Sequence, residues 1–215
     1  MRHAAKWGMA LTVLLLLGCP QSDANPPAPD GETPSTPAPA PPEGRIKIKD
    51  GAGQTAWKLK LMDDGAKVVD AKEVELFRFK ADRNKVKVKD AKDKVLSYVT
   101  CDGQKMKVKD SEQEKVLFRL APQADGDWKL EDGADKLICK IKKRDYGWVV
   151  RDANEQDLFK VKVKSGKTSL RDAKDKTLCS TKDKVSSLAF CALGLKELTP
   201  EQRLAVLYLL HTAVK

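Results

Sequence analysis

From residue 45 onward the chain alternates. Apolar side chains take every second position with Lys or Arg between them, in short runs such as Val86-Lys87-Val88-Lys89 and Phe159-Lys160-Val161-Lys162. A period of two marks half-buried β-strands, apolar face inward and cationic face outward. Aspartates punctuate the runs: Asp50, Asp70, Asp90, Asp110, Asp132, Asp152 and Asp172 recur at spacings of 20, 20, 20, 22, 20 and 20. The positions four and two before each are mostly apolar, as in Ile46 and Ile48, Met106 and Val108, or Trp128 and Leu130. So are positions seven and nine after most of them, as in Trp57 and Leu59, Phe77 and Phe79, or Cys139 and Ile141. Each repeat therefore reads as two strands joined by a short polar turn. The aspartate opens that turn, where its carboxylate accepts backbone N–H bonds. A second turn closes each repeat, marked by Asp64-Gly65, Asp102-Gly103, Asp125-Gly126, Tyr146-Gly147 and Ser165-Gly166. The two extra residues between Asp110 and Asp132 are expected as a longer loop near Ala121 to Asp127.

Seven aspartates in a row also invite a metal or catalytic reading. Turn chemistry accounts for them better, because catalytic groups are rarely copied into every repeat. Calcium-binding repeats are also shorter and richer in glycine than these.

After residue 183 the character changes. From Ser186 to Leu195 the chain is apolar and free of charge, so this stretch is expected to be buried on nearly all sides. Thr199-Pro200-Glu201-Gln202 then gives a helix start, with Thr as N-cap, Pro at the first helical position and Gln three residues on. The helix is predicted from Pro200 to about Val214, with Leu204, Leu207, Tyr208 and Leu210 apolar. Neither stretch reaches the roughly 20 apolar residues that span a bilayer.

The predicted fold is mainly β. Seven antiparallel hairpin repeats of about 20 residues supply about fourteen strands, and sheets of that size tend to close, which removes their edges. We expect a closed barrel around or next to an apolar C-terminal helix, plus a second short helix. The alternative is an open β-solenoid or meander with a helical cap. Consecutive hairpins followed by an apolar helix resemble the tubby-like fold of tubby C-terminal domains, phospholipid scramblases and plant LURP-one-related proteins. The matching pieces are the strand–Asp–turn–strand units, such as Val86 to Asp90 through Val95-Leu96, and the segment Asp183 to Leu193. The resemblance covers residues 45–195 and implies a closed barrel of twelve strands around one hydrophobic helix, with lipid binding, lipid transfer or scrambling as its function. The chain departs from that pattern in strand number and in its further helix. It has no match to the phosphoinositide-binding basic residues of tubby proteins or to a scramblase calcium segment, so no functional residue carries over.

The start of the chain has different chemistry. Arg2 and Lys6 precede an apolar run of eleven residues, Trp7 to Leu17, which suits the core of a signal peptide. The run ends in Leu16-Leu17-Gly18-Cys19, which resembles the lipobox of bacterial lipoproteins. That resemblance implies cleavage before Cys19 and diacylglycerol on its thiol. Two or three acyl chains, at about 0.8 kcal/mol per buried methylene, make a stable anchor where one is marginal. Residue 20 is Pro rather than Asp; an Asp there resembles the inner-membrane retention signal, so the expected location is the outer membrane, facing the periplasm. The stretch from Pro20 to Gly44 holds nine of the eleven prolines and no apolar periodicity, as expected of a disordered spacer. The expected organisation is a leader over 1–18, a lipidated cysteine and linker over 19–44, the repeat over 45–182, and C-terminal helices over 183–215 packed with it.

Removing the leader lowers the net charge from +10 to +8, since Arg2 and Lys6 go with it. The remaining 197 residues carry one histidine, His211, and, besides Cys19, four cysteines, Cys101, Cys139, Cys179 and Cys191, without metal-ligand spacing. The cysteines read either as buried thiols or as one or two disulfides that an oxidising periplasm permits. Gly51-Ala52-Gly53 is a turn, with no helix or Lys-Ser/Thr after it to make a phosphate loop. The expected function is that of a non-enzymatic, lipid-anchored envelope protein without cofactor. Its cationic strand faces are either a solvated surface or a wall for an anionic partner such as phospholipid, lipopolysaccharide or cell-wall polymer. Nucleic acid is excluded by compartment.

Overall fold

The computed structural model describes residues 44–213. The leader, the lipobox with Cys19, the Pro-rich stretch before Gly44 and the last two residues lie outside the described residues.

Each repeat folds as expected into two strands around its aspartate. The first three repeats give β1 (Gly44–Asp50) and β2 (Thr55–Met62), β3 (Gly65–Val69) and β4 (Glu75–Asp82), and β5 (Lys85–Asp90) and β6 (Val95–Asp102). The next two give β7 (Lys105–Lys109) and β8 (Val116–Pro122), then β9 (Trp128–Asp132) and β10 (Leu137–Arg144). The last two give β11 (Gly147–Asp152) and β12 (Asp157–Lys164), then β13 (Lys167–Asp172) and β14 (Thr177–Thr181). All fourteen pair antiparallel with their sequence neighbours, and β1 pairs with β14 to close a barrel. The open solenoid is therefore excluded.

The turn aspartates do what their spacing predicts. In Asp90, one carboxylate oxygen accepts the backbone N–H of Lys92 at 2.8 Å and of Lys94 at 2.9 Å. Asp50, Asp70, Asp132 and Asp152 repeat both bonds, two and four residues on, and Asp172 the second. The extra residues of the fourth repeat are not both in the expected loop. One sits in the aspartate turn, where Asp110 N–H reaches Lys115 O rather than the residue four on. The other lengthens the β8–β9 connection, where Gln123 N–H meets Asp127 O. Gly65 and Gly147 also differ from expectation. They are the first residues of β3 and β11, not turn residues, and glycine is needed for space. A Cβ at Gly65 would fall 1.9 Å from Phe79 O, and one at Gly147 2.3 Å from Val161 O.

The strands carry one irregularity that simple alternation hides. Opposite the residue just before each aspartate the register slips, and the residue six or seven after that aspartate is skipped. These seven β-bulges fall at Ala56, Leu76, Leu96, Leu117, Ile138, Leu158 and Leu178. Each bends the ladder at the aspartate end and turns an apolar side chain toward that rim.

The C-terminal segment fills the barrel. It forms α1 (Ser187–Cys191), a 3₁₀ turn (Ala192–Gly194) and α2 (Pro200–Ala213). Thr199 begins α2 with half of the expected capping box, its N–H donating to Gln202 Oε1 at 3.1 Å. The stretch before it was expected to be buried on nearly all sides, and Leu188 to Leu193 and Leu195 are; α2, expected apolar at Leu204, Leu207, Tyr208 and Leu210, is buried at every residue from Leu204 to Leu210. Seven consecutive buried positions leave no solvent face, because Ala205, Val206 and Leu209 complete the circumference that Leu204, Leu207, Tyr208 and Leu210 begin. Both helices share one core with the inward strand residues, including Leu59, Val88, Val99, Ile141 and Val161. Phe79 of β4 meets Tyr208 with ring centroids 6.0 Å apart, and Trp148 Nε1 donates to Ser187 Oγ at 3.0 Å.

Leu207 is fully buried between helix and wall, so Leu207→Ala should lower unfolding free energy by about 2–5 kcal/mol. Asp152→Ala removes two turn hydrogen bonds at an exposed site and should cost only about 1–2 kcal/mol. Urea denaturation of both variants checks the order; a larger loss at Asp152 would mean that the turns, not the filling, limit stability.

Candidate functional site

The outer wall is built from like charges in register. Lys47 faces Lys58 across β1 and β2, Arg45 faces Lys60, and Lys80 faces Lys87 across β4 and β5. Such pairs repel when directly opposite. The turns compensate with a second acidic position, three residues after the aspartate. Glu73, Asp93, Asp135, Glu155 and Asp175 all stand there in left-handed backbone, with φ between 61 and 69°. That conformation swings each carboxylate back over the strands. Glu73 joins Lys58 and Lys60, Asp135 meets Arg119 at 2.9 Å, and Asp175 meets Lys162 at 2.7 Å and Arg171 at 3.0 Å. Glu155 holds Lys140 at 2.6 Å and Lys142 at 2.9 Å, and the N–H donors of those two lysines hold its carboxyl down at about 2. Much of the cationic wall is thus neutralised within the fold. The acid at this position in five repeats was the available sequence signal, and alternation alone passes over it.

One sector escapes. The β1–β14 closure has only two register pairs, Lys49 with Ser180 and Asp50 with Cys179. The other thirteen interfaces have four to six. Beyond Lys49 the strands part, and the side chain of Asp183 takes over, accepting Lys47 N–H at 2.5 Å. Asp183 is itself fixed by its own N–H donating to Thr181 Oγ1 at 3.0 Å. The parting leaves a cleft of about 420 Å³ lined by Arg45, Lys47, Lys49, Lys167 and Lys182, with Ser180 and Thr181 between them. Among the described residues none of these five cations makes an ion pair, and Asp183 is the one carboxylate in the lining. Ammonium, guanidinium and hydroxyl donors converging on a concave surface suit phosphate, sulfate or carboxylate groups.

The other singled-out residues are placed as follows. Cys19 lies outside the described residues. The seven turn aspartates lie at one rim of the barrel, spread around it, and among the described residues no three or more His, Cys, Asp or Glu gather to hold a metal. Cys101, Cys139, Cys179 and Cys191 are free and buried. Burial pushes the thiols of Cys139 and Cys179 up to about 12 and raises Cys101 and Cys191 as well, so they are protonated and poor nucleophiles. His211 lies in the last turn of α2, partly exposed.

No family model matches the sequence, and no curated protein matches it. Among solved structures, the X-ray structure of an Arabidopsis thaliana protein aligns over 71% of this chain and 88% of its own, at 13% identity and a TM-score of 0.38. A likeness that slight carries no argument about fold family or function.

The ion pairs of Glu155 make stability depend on pH. Its carboxyl falls from the ordinary 4.5 to about 2 on folding, so its contribution is complete above 4.5 and fades as pH drops toward about 2. Glu155→Gln should lower the urea midpoint at neutral pH, with the gap to the parent closing in acid and shrinking in high salt. An unchanged gap across that window would show that packing of the side chain, not its charge, matters.

Proposed function

We propose that the protein is a lipid-anchored lipoprotein of the bacterial envelope, placed in the outer membrane, whose barrel is a non-enzymatic binding module for an anionic envelope component. The leader and the Leu16-Leu17-Gly18-Cys19 motif support the anchor. The observation that carries the binding role is the seam cleft, where five cations without carboxylate partners among the described residues converge on one concave surface. Phospholipid head groups, lipopolysaccharide and cell-wall polymers all present the phosphate or carboxylate that such a cleft takes. The sequence also puts the Pro-rich spacer directly before β1, whose cations line the cleft.

Two measurements test the two halves. Cells given labelled palmitate should acylate the parent protein and not Cys19→Ser; equal labelling removes the anchor. The full-length Cys19→Ser chain should sediment with phosphatidylglycerol vesicles, less with phosphatidylcholine, and less as salt rises. Each lysine near an anionic surface contributes on the order of 1 kcal/mol, so Lys167→Glu with Lys182→Glu should weaken binding about ten-fold or more. Binding that ignores both salt and these substitutions sinks the role of the cleft.

A second reading, a tubby-like lipid-transfer or scramblase-type protein, is favoured by the closed barrel around C-terminal helices. Fourteen strands where that fold has twelve, and two buried helical segments where it has one, stand against it. Reconstituted protein that moves no labelled lipid between leaflets, with or without calcium, disposes of this reading.

A further inference from the structure

The bulge residues make the aspartate-end rim apolar, and the C-terminal plug seals that rim unevenly. Two of them, Leu96 and Ile138, pack against the core. Over β12 and β14 the cover is missing. Leu158 and Leu178, the bulge residues of those strands, are 42% and 41% exposed. Between them and the turn that follows α1 lies a cavity of about 460 Å³. Its walls are Trp57, Phe159, Leu170, Leu193 and Leu195, with Leu158 and Leu178 at the lip.

Three features define what such a cavity takes. Its volume falls within the range of small-ligand sites. Beside the single indole N–H of Trp57, the uncharged polar side chains of its lining are the protonated thiols of Cys139 and Cys179, which are weak donors, so the lining is mainly apolar. Charge is confined to groups that belong to the rim. Asp50 and Asp172 are tied into their turns, Lys196 and Glu197 are exposed, and Arg203 donates to Leu198 O at 2.8 Å and Lys196 O at 3.0 Å. The walls are also held open. The ring of Phe159 lies close against Gly194, where a Cβ would come within 2.6 Å of it, so any side chain at 194 would displace the ring.

We propose that this cavity binds a single aliphatic chain of the fatty-acyl class, with methylenes among Trp57, Phe159, Leu170 and Leu193 and the polar end at the Lys196 rim. The site is independent of the seam cleft and of acylation at Cys19. The chain comes either from a free fatty acid or from the tail of a bilayer phospholipid, and one set of variants separates the two.

The experiment uses the full-length Cys19→Ser chain, which has no acyl group of its own. cis-Parinaric acid is titrated in and then displaced with palmitate, and Trp57 fluorescence is followed against a Trp57→Phe control. Saturable, displaceable binding that shifts Trp57 emission is expected. Leu158→Asp and Leu178→Asp put a carboxylate at the lip, on side chains exposed enough for the fold to tolerate it. Each should weaken binding about ten-fold or more. Val163→Asp, at the opposite end of β12, should leave it unchanged, and matching urea midpoints establish that all three variants are folded. Absence of displaceable binding overturns the proposal, as does binding that the lip variants and Val163→Asp affect equally. In a parallel arm with phosphatidylcholine vesicles, loss of sedimentation in the lip variants assigns the chain to bilayer lipid. Unchanged sedimentation alongside weakened palmitate binding assigns it to free fatty acid.

Discussion

A closed sheet of fourteen strands encloses more space than its own inward side chains can fill; about eight strands is the width at which they suffice. The void has to be occupied by something apolar and of fixed shape, because an interior lined by Val88, Val99, Ile141 and Val161 cannot be left to water. The last 27 or so residues of the described chain meet that requirement. Their two helical pieces take different parts of the wall: α1 lies against β11, β12 and β13, and α2 against β5 and β6. Burial of α2 on its whole circumference follows from this position, as does its lack of charge after Arg203 until the chain nears its end.

The same requirement divides the surface into regions with different roles. Where wall and filling match, the surface is generic: lysines outside, many of them drawn toward an acid in a neighbouring turn. Where they mismatch, features appear that serve no purpose in stability. At the seam the ladder gives out after two pairs and a side chain, Asp183, stands in for backbone. At the mouth near β12 and β14 the plug stops short. Ser97 adds a third, smaller mismatch, as its hydroxyl is fully buried without a hydrogen-bond partner among the described residues, at a cost of about 1–3 kcal/mol. Its position opposite Val88 places it on an otherwise apolar face.

What the sequence made legible depended on whether a feature was local. The aspartate turn is specified by one side chain and the amides two and four residues on, so Asp90 and Asp152 could be read directly. Alternation gave Ile46, Ile48, Val86 and Val88 as inward residues because a strand's two faces are fixed by its own pleat. The bulges were legible in principle: Leu76-Phe77, Leu117-Phe118 and Leu158-Phe159 are adjacent apolar pairs, which alternation forbids and a skipped residue permits. The helix at 200–213 was found by its cap and by Leu204, Leu207, Tyr208 and Leu210; the burial of Ala205, Val206 and Leu209 as well depends on the wall that surrounds it. The seam had no local signal at all. It exists because β1 and β14 meet, and nothing near Lys47 in the sequence announces Asp183.

That long-range meeting constrains time as well as space. Lys49 and Ser180 pair across most of the chain, and the filling is carried by the final helix. Hairpins can form as they emerge, yet neither the circle nor its centre can be completed until nearly the last residue is available. A chain made N-terminus first therefore stays open, extended and threadable throughout its synthesis, with its apolar faces uncovered until the end. On the proposed route of export through a narrow channel, a core carried by the C-terminal helices would delay commitment to the folded shape until passage is nearly over.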